Sequence, residues 1–267
     1  VNINLLLQDS GEYFMKKLKK GKFHFLQKPE NFDENKKSIV FVHGASINSY
    51  FFINQLNFFS DEFNVFAPDL PGRNRGDEKP CSSVSEYADF IIEFIENMNL
   101  EKPHICGISM GGAIVLDILA RPYENIENAV IINSGARLKV LDMVFDSVRN
   151  AFEDFKKGMI RFGVSKDFDT SRIEPDAYRA CIDNPMTALA DFNACNNFDL
   201  MNSLEKIEKK VLILGASEDV STPLKYGKFL EENIKDSKFV VIKGSGHLSP
   251  MEKPEEVNNA IYEFLKS

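Results

Sequence analysis

The sequence predicts an α/β fold, a mostly parallel central sheet flanked by helices, and three observations carry that prediction. Short, wholly apolar runs recur along the chain, among them Ile39-Val40-Phe41-Val42, Ala129-Val130-Ile131-Ile132 and Val211-Leu212-Ile213-Leu214. A run that is apolar at every position suits a strand covered on both faces, as in a parallel sheet. Between these runs lie segments with apolar residues at intervals of three and four, the period of a helix with one buried face. The alternation stops near Arg137 and resumes after Glu205, which divides the chain into a first core part (residues 1–136), a helical insertion (137–205) and a second core part (206–267). Strands and helices in alternation build parallel sheets with crossover helices.

Each element follows from its residues. Ile3 to Leu7 is a candidate first strand, and Gly21 to Leu26 alternates apolar and polar residues as a half-buried or edge strand does. The charged stretch from Pro29 to Lys37 reads as a surface loop before the strand at Ile39. Tyr50 to Phe59 places Phe52, Leu56 and Phe59 at helical spacing, and Val65-Phe66-Ala67 is a buried strand running into the turn Asp69-Leu70-Pro71-Gly72. From Ser85 to Met98, residues Tyr87, Phe90, Ile91, Phe94, Ile95 and Met98 form one apolar stripe, with Ser83 or Ser85 as N-cap. His104 to Ile108 is the next strand, followed by an abrupt glycine-flanked corner, Gly107-Ile108-Ser109-Met110-Gly111, and a helix that begins in Gly112-Ala113-Ile114. Within the insertion, Leu141, Val144, Phe145, Val148, Phe152, Phe155 and Met159 predict one amphipathic helix. The aromatic and methionine residues there, including Met143, Phe162, Phe192 and Phe198, read mostly as the core of the insertion. A helix from Pro223 to Asn233, a strand at Phe239 to Ile242 and a helix from Pro254 to Lys266 complete the chain.

Composition narrows the function. A formal charge of −8 argues against a nucleic-acid or anionic-membrane surface. The run Lys16-Lys17-Leu18-Lys19-Lys20 therefore reads as a solvated face. No stretch approaches the apolar length of a membrane-spanning helix, and Val1 to Ser10 lacks the basic start and apolar core of a secretory signal, so a soluble protein is expected. Cys81, Cys106, Cys181 and Cys195 show neither C-x-x-C spacing nor companion histidines, so no structural metal is expected and a reducing cytoplasm is the simplest compartment.

In an open parallel sheet, reactive groups gather beyond the carboxyl ends of the strands. Chemically loaded ends here are His43-Gly44-Ala45-Ser46, Ser109, the Glu218-Asp219 region and Gly246-His247. A serine hydroxyl becomes a nucleophile when an adjacent imidazole takes its proton and a carboxylate orients that imidazole. Ser109, Asp219 and His247 supply those groups in the chain order serine, acid, histidine.

With these residues in view, the chain resembles the α/β-hydrolase superfamily, serine-hydrolase branch, with an inserted helical cap. The resemblance covers residues 20–135 and 206–267 and rests on His43-Gly44, Asp69-Leu70-Pro71-Gly72, Gly107-Ile108-Ser109-Met110-Gly111-Gly112, Gly215 through Asp219 to Pro223, and Gly244-Ser245-Gly246-His247 with Glu252-Lys253-Pro254. It implies the α/β-hydrolase fold, Ser109 as nucleophile, His247 as general base and then general acid, and Asp219 as the residue that orients His247. The backbone N–H groups of Ala45 and Met110 would form the oxyanion hole, and His43 would support the oxyanion loop. Two departures stand out. Where the family continues His-Gly-x-Ser after the Asp69–Gly72 turn, this chain has Arg73-Asn74-Arg75-Gly76, which implies an altered loop near the pocket mouth. The acid loop is one residue longer than the family's Gly-x-x-Asp, so Glu218 rivals Asp219; the spacing from Asp219 to Pro223 favours Asp219, and Asn133-Ser134 offers no carboxylate.

The expected activity is cleavage of a small or medium carboxylic ester through an acyl-enzyme, without metal or organic cofactor. Its partner would be a small, apolar ester, with Phe51 and Phe52, just past the oxyanion loop, as candidate substrate contacts. A thioesterase, lactonase, perhydrolase or C–C bond hydrolase would use the same triad. A ligand sensor on a hydrolase scaffold, with negligible turnover, is a reading from another class.

Overall fold

The computed structural model describes residues 15–74 and 78–267. The lysine-rich run contributes β1 (Leu18–Lys20), and β2 (Phe23–Lys28) returns beside it. A loop leads to β3 (Ser38–Val42), a 3-10 turn over Ser49–Phe52, α1 (Ile53–Phe59) and β4 (Asn64–Pro68). Helix α2 (Val84–Asn97) is capped by Ser83, whose side chain accepts the Glu86 N–H. Then come β5 (His104–Ile108), α3 (Met110–Leu119) and β6 (Ala129–Ile132). Between β6 and β7 lie α4 (Asp142–Asn150), α5 (Phe152–Gly163), α6 (Glu174–Ala180) and α7 (Pro185–Asn197). The core resumes with β7 (Val211–Ala216), α8 (Leu224–Asn233), β8 (Ser237–Ile242), the short α9 (Ser249–Glu252) and α10 (Pro254–Lys266).

The strands form one eight-stranded sheet in the order β1-β2-β4-β3-β5-β6-β7-β8, antiparallel at β1-β2-β4 and parallel from β4 onward. Wholly apolar strands arise because both faces are covered. In β3, Val40 and Val42 enter the cluster beneath α2 and α3, while Ile39 and Phe41 enter the opposite one with α1 and α10. β5 divides likewise, Ile105 on one side and Cys106 and Ile108 on the other. β4 lies on one flank of β3 and β5 on the other, so the winding reverses between β3 and β5. That reversal opens a crevice beyond their carboxyl ends, where Ala45 and Ser109 follow.

Most expected elements form, with several differences. The stripe from Leu141 to Met159 is two helices, because Ala151 leaves the helical region at φ −151 and ψ 57. Phe152 and Phe155 then stack at 5.9 Å, Phe155 meets Phe192 of α7 at 5.7 Å, and Val148 packs with Ile182 and Ala188. Packing among these rings overrides a spacing that one helix would satisfy. Met143 and Phe162 are largely exposed rather than part of that core. The helix after Ser109 begins at once with Met110 instead of at Gly112. Leu18 to Lys20 is an edge strand, where lysines discourage pairing with another chain. The expected strand at Ile3–Leu7 lies outside the described residues. Among the described residues no helix is long and apolar enough to cross a membrane. The four cysteines are unpaired; Cys106, Cys181 and Cys195 are buried and Cys81 is half-buried.

Candidate active site

One residue separates β5 from α3, and that residue is Ser109. Its backbone takes φ 54 and ψ −119, a conformation costly for a side chain and held only where the surroundings dictate it. The glycines beside it are required by close approach. A Cβ on Gly107 would lie 2.2 Å from the Gly111 carbonyl oxygen, and one on Gly111 would lie 2.0 Å from that of Val42. The corner is also pinned by hydrogen bonds: the Ser109 N–H donates to Ile132 O at 3.0 Å, and the Ser134 hydroxyl donates to Ser109 O at 2.7 Å. Met110 opens α3, so its N–H belongs to the first turn, whose donors have no intrahelical acceptor.

Asp219 and His247 follow β7 and β8. His247 Nδ1–H donates to Asp219 Oδ2 at 2.7 Å. The same carboxylate accepts the Ser221 and Thr222 N–H groups at 2.8 and 2.9 Å and the Thr222 hydroxyl at 2.7 Å. Burial alone would raise the Asp219 carboxyl, but His247 and the Thr222 donors outweigh it and hold it at about 2. For His247, burial opposes the imidazolium, and the charge and hydrogen bond of Asp219 more than compensate, leaving its pKa above the ordinary value. With Nδ1 occupied as donor, Nε2 is the nitrogen left to take a proton. Glu218 does not share this contact; its carboxylate accepts the Lys166 N–H at 3.1 Å.

The loop after β3 is fixed from beneath by His43. The ring accepts the Leu70 N–H at Nε2 (3.1 Å), which makes Nδ1 the protonated nitrogen and the donor to Gly44 O (2.9 Å). Burial, reinforced by the Arg73 charge, depresses this imidazole to about 3, so it stays neutral. Gly44 faces the serine: a Cβ there would stand 3.3 Å from Ser109 Cβ. The loop carrying Ala45 and the corner carrying Ser109 and Met110 are therefore neighbours. Phe51 and Phe52 are buried in the cluster behind this loop, with Phe52 packed on Phe41 at 4.9 Å between ring centres.

Several side chains at the site were assigned no role of their own from the sequence. Asn133, at φ 44 after β6, donates to the His247 carbonyl at 2.8 Å and so ties the histidine loop to the strand beside Ser109. Glu252 accepts the Gly246 N–H at 2.7 Å, the Ser245 hydroxyl at 3.1 Å, and the Ser165 N–H at 3.0 Å, joining that loop to the residues after α5. Arg73, the departure from the family turn, pairs with Asp191 of α7 through NH2 to Oδ2 at 2.5 Å and NH1 to Oδ1 at 3.1 Å. Asp191 had a readable signal: with Thr187, Ala188, Ala194 and Cys195 it forms the buried stripe of α7, an acid at the centre of a helix's inward face. Arg75 lies outside the described residues. Among the described residues, no group of three or more His, Cys, Asp or Glu side chains is placed to hold a metal ion.

The fold has known counterparts. The chain is 26% identical over 246 residues to 3-oxoadipate enol-lactonase 1 of Acinetobacter baylyi, covering 89% of this chain and 91% of that protein. The enol-lactonase of Burkholderia xenovorans superposes with a TM-score of 0.83 at 18% identity, over 92% of this chain and 96% of that one. A thermophilic esterase of Thermogutta terrifontis does so with a TM-score of 0.78 at 23% identity, over 91% and 93%. The model of the alpha/beta hydrolase family matches residues 39–260. By that match, the chain belongs to the alpha/beta hydrolase family and is an enzyme of that class.

Proposed function

We propose that this enzyme is a serine hydrolase that cleaves a small or medium carboxylic ester through an acyl-enzyme. The observation that carries the reading is the 2.7 Å hydrogen bond from His247 Nδ1 to Asp219, two residues that follow β8 and β7 at the same carboxyl end of the parallel strands where the strained corner of Ser109 follows β5. In the proposed reaction, His247 Nε2 takes the Ser109 hydroxyl proton as Oγ attacks the ester carbonyl. The carbonyl oxygen becomes an oxyanion that accepts from the N–H groups of Ala45 and Met110, donors worth a few kcal/mol each when preorganised. Collapse breaks the bond to the alcohol oxygen, which leaves with the proton from His247. Water, deprotonated by the same nitrogen, attacks the acyl-enzyme; the acid departs and Ser109 regains its proton. The chemistry is complete without metal or organic cofactor. Helices α4 to α7 serve as the cap that selects the substrate, a small apolar ester of the cytoplasm, with Phe51 and Phe52 as the wall behind the oxyanion loop.

A second reading is favoured by the two enol-lactonases among the counterparts. A lactone is a cyclic ester, so the same residues would open it, with the leaving alkoxide remaining tethered to the acyl group. Ser109→Ala is expected to lower kcat for p-nitrophenyl acetate by about 10⁶-fold with the fold retained. Undiminished turnover in that variant would overturn the assignment. Competition of a fluorophosphonate label by open-chain esters and by lactones then ranks the two substrate classes. A burst of product without steady-state turnover would instead indicate a ligand sensor.

A further inference from the structure

We infer that Asp191 and Arg73 are positioning residues for the oxyanion hole, so that α7 of the insertion completes the catalytic site rather than only covering it. The inference rests on the serine-hydrolase reading above, which gives the Ala45 N–H its role. The residues after Ala45 are gripped on both polar edges of the chain. The Ser46 N–H donates to Asp191 Oδ2 at 2.9 Å, and the Ile47 carbonyl accepts Arg73 Nε–H at 3.2 Å. Asp191 and Arg73 hold each other through the two bonds of their fork, Tyr87 donates its hydroxyl to Asp191 Oδ1 at 2.5 Å, and Arg73 NH1 also donates to Pro71 O at 2.8 Å. The carboxylate thus accepts four hydrogen bonds, which is about all it can accept. From the other side, Asn48 N–H donates to Ala180 O at 2.8 Å and Ile182 N–H to Ser46 O at 3.2 Å, so two parts of the insertion enclose the loop.

Two further facts point to direction rather than mere cohesion. Ser46 holds φ 62, a left-handed conformation that a serine keeps only when its surroundings impose it. The side chains of Arg73 and Asp191 are 1% and 0% exposed, and a buried ion pair adds little stability that an apolar pair of the same volume would not. What an apolar pair would not supply is an acceptor for the Ser46 N–H and a donor for the Ile47 carbonyl. Those two bonds set the orientation of the peptide units that follow Ala45.

The test compares three variants with the wild type, each first checked for a cooperative thermal transition. Asp191→Asn presents an amide N–H where a donor now points. Arg73→Met/Asp191→Leu removes both charges together and leaves no stranded ion. Arg73→Lys keeps a cation for Asp191 but loses the donor to Ile47, and serves should the other two not fold. Expected is a fall of about 10- to 100-fold in kcat for p-nitrophenyl acetate, with KM little changed and the pH midpoint of kcat unmoved, since a misplaced donor acts on the transition state. Fluorophosphonate labelling of Ser109 slows by a similar factor, and Arg73→Lys gives the smallest loss. Folded variants that keep wild-type kcat and labelling rate, or that change KM alone, overturn the inference while leaving Ser109 as nucleophile. Fluorophosphonate labelling that persists undiminished in Ser109→Ala overturns the serine-hydrolase reading, and the inference with it.

Discussion

Asp219 commits its carboxylate to one imidazole and one turn, and this sets the pH dependence expected of the enzyme. In the proposed reaction His247 is the base and acts in its neutral form, so kcat/KM is expected to rise with pH through a midpoint above the ordinary imidazole value of 6.5. In Asp219→Asn the opposing charge is gone while burial remains, so the midpoint moves downward, and kcat falls by about 10⁴-fold as the imidazole loses its tautomer. A pH–rate profile of both proteins checks the direction; a midpoint unmoved by the substitution would assign the titration to another group. The sequence named Ser109, Asp219 and His247 as candidates because each stands in a short turn with a local pattern of its own, and the hydrogen bond between the latter two is what the structure adds. Asp219 and His247 are only 28 positions apart. Arg73 and Asp191 are separated by 118, and nothing local to either names the other. Asn133 was read only for the carboxylate it lacks, whereas its amide is what binds the histidine loop.

Helices show where local chemistry governs and where it yields. A serine N-cap of α2, Ser83 of the two serines offered, and the span of α10 are legible because a hydroxyl before an apolar stripe, or a proline at the first turn, has a characteristic use. The break at Ala151 is not legible, since both halves obey the same spacing and only their packing against α7 separates them. Helix α7 is itself begun by Asn184, which accepts the N–H groups of Met186 and Thr187 at 3.0 and 3.4 Å. Asn184→Ala is expected to cost about 1 kcal/mol. In a chain of this size that is a fall of about 2–4 °C in the thermal midpoint by calorimetry. Since Asp191 lies two turns further along α7, kcat should hold while stability drops. A loss of kcat without loss of stability would mean that the helix start itself reaches the substrate.

Across the whole molecule, buried ionisable groups make acid the weak side. His43 is held at about 3 and His104, through burial and the nearby Lys37 charge, at about 4. Between those values and about 6.5 the unfolded chain binds protons that the folded chain refuses, so stability falls as pH falls, by up to about 1.4 kcal/mol per pH unit for each histidine. Asp219, held at about 2 against an ordinary 3.8, adds loss in the same direction below pH 4. The raised His247 acts oppositely: its contribution is full below about 6.5 and is lost as pH rises through its folded value. Urea unfolding at pH 7, 5 and 4 should show the midpoint dropping steadily on acidification; a flat profile would place those histidines in contact with water. At this scale the sequence read well. Apolar runs announced the strands, whereas how the helices between β6 and β7 join the sheet depends on contacts made only once the chain is folded. The cysteines carry a different consequence. Burial pushes Cys81 up to about 12 and Cys181 to about 11, and it raises Cys106 and Cys195 further, so thiolate is scarce at neutral pH. Slow labelling of the native thiols by maleimides is the expected outcome. One cysteine placed at exposed Met186 and another at exposed Val220, beside Asp219, would accept a donor and acceptor dye, and movement of α7 over the core could be followed in single molecules without removing a native thiol.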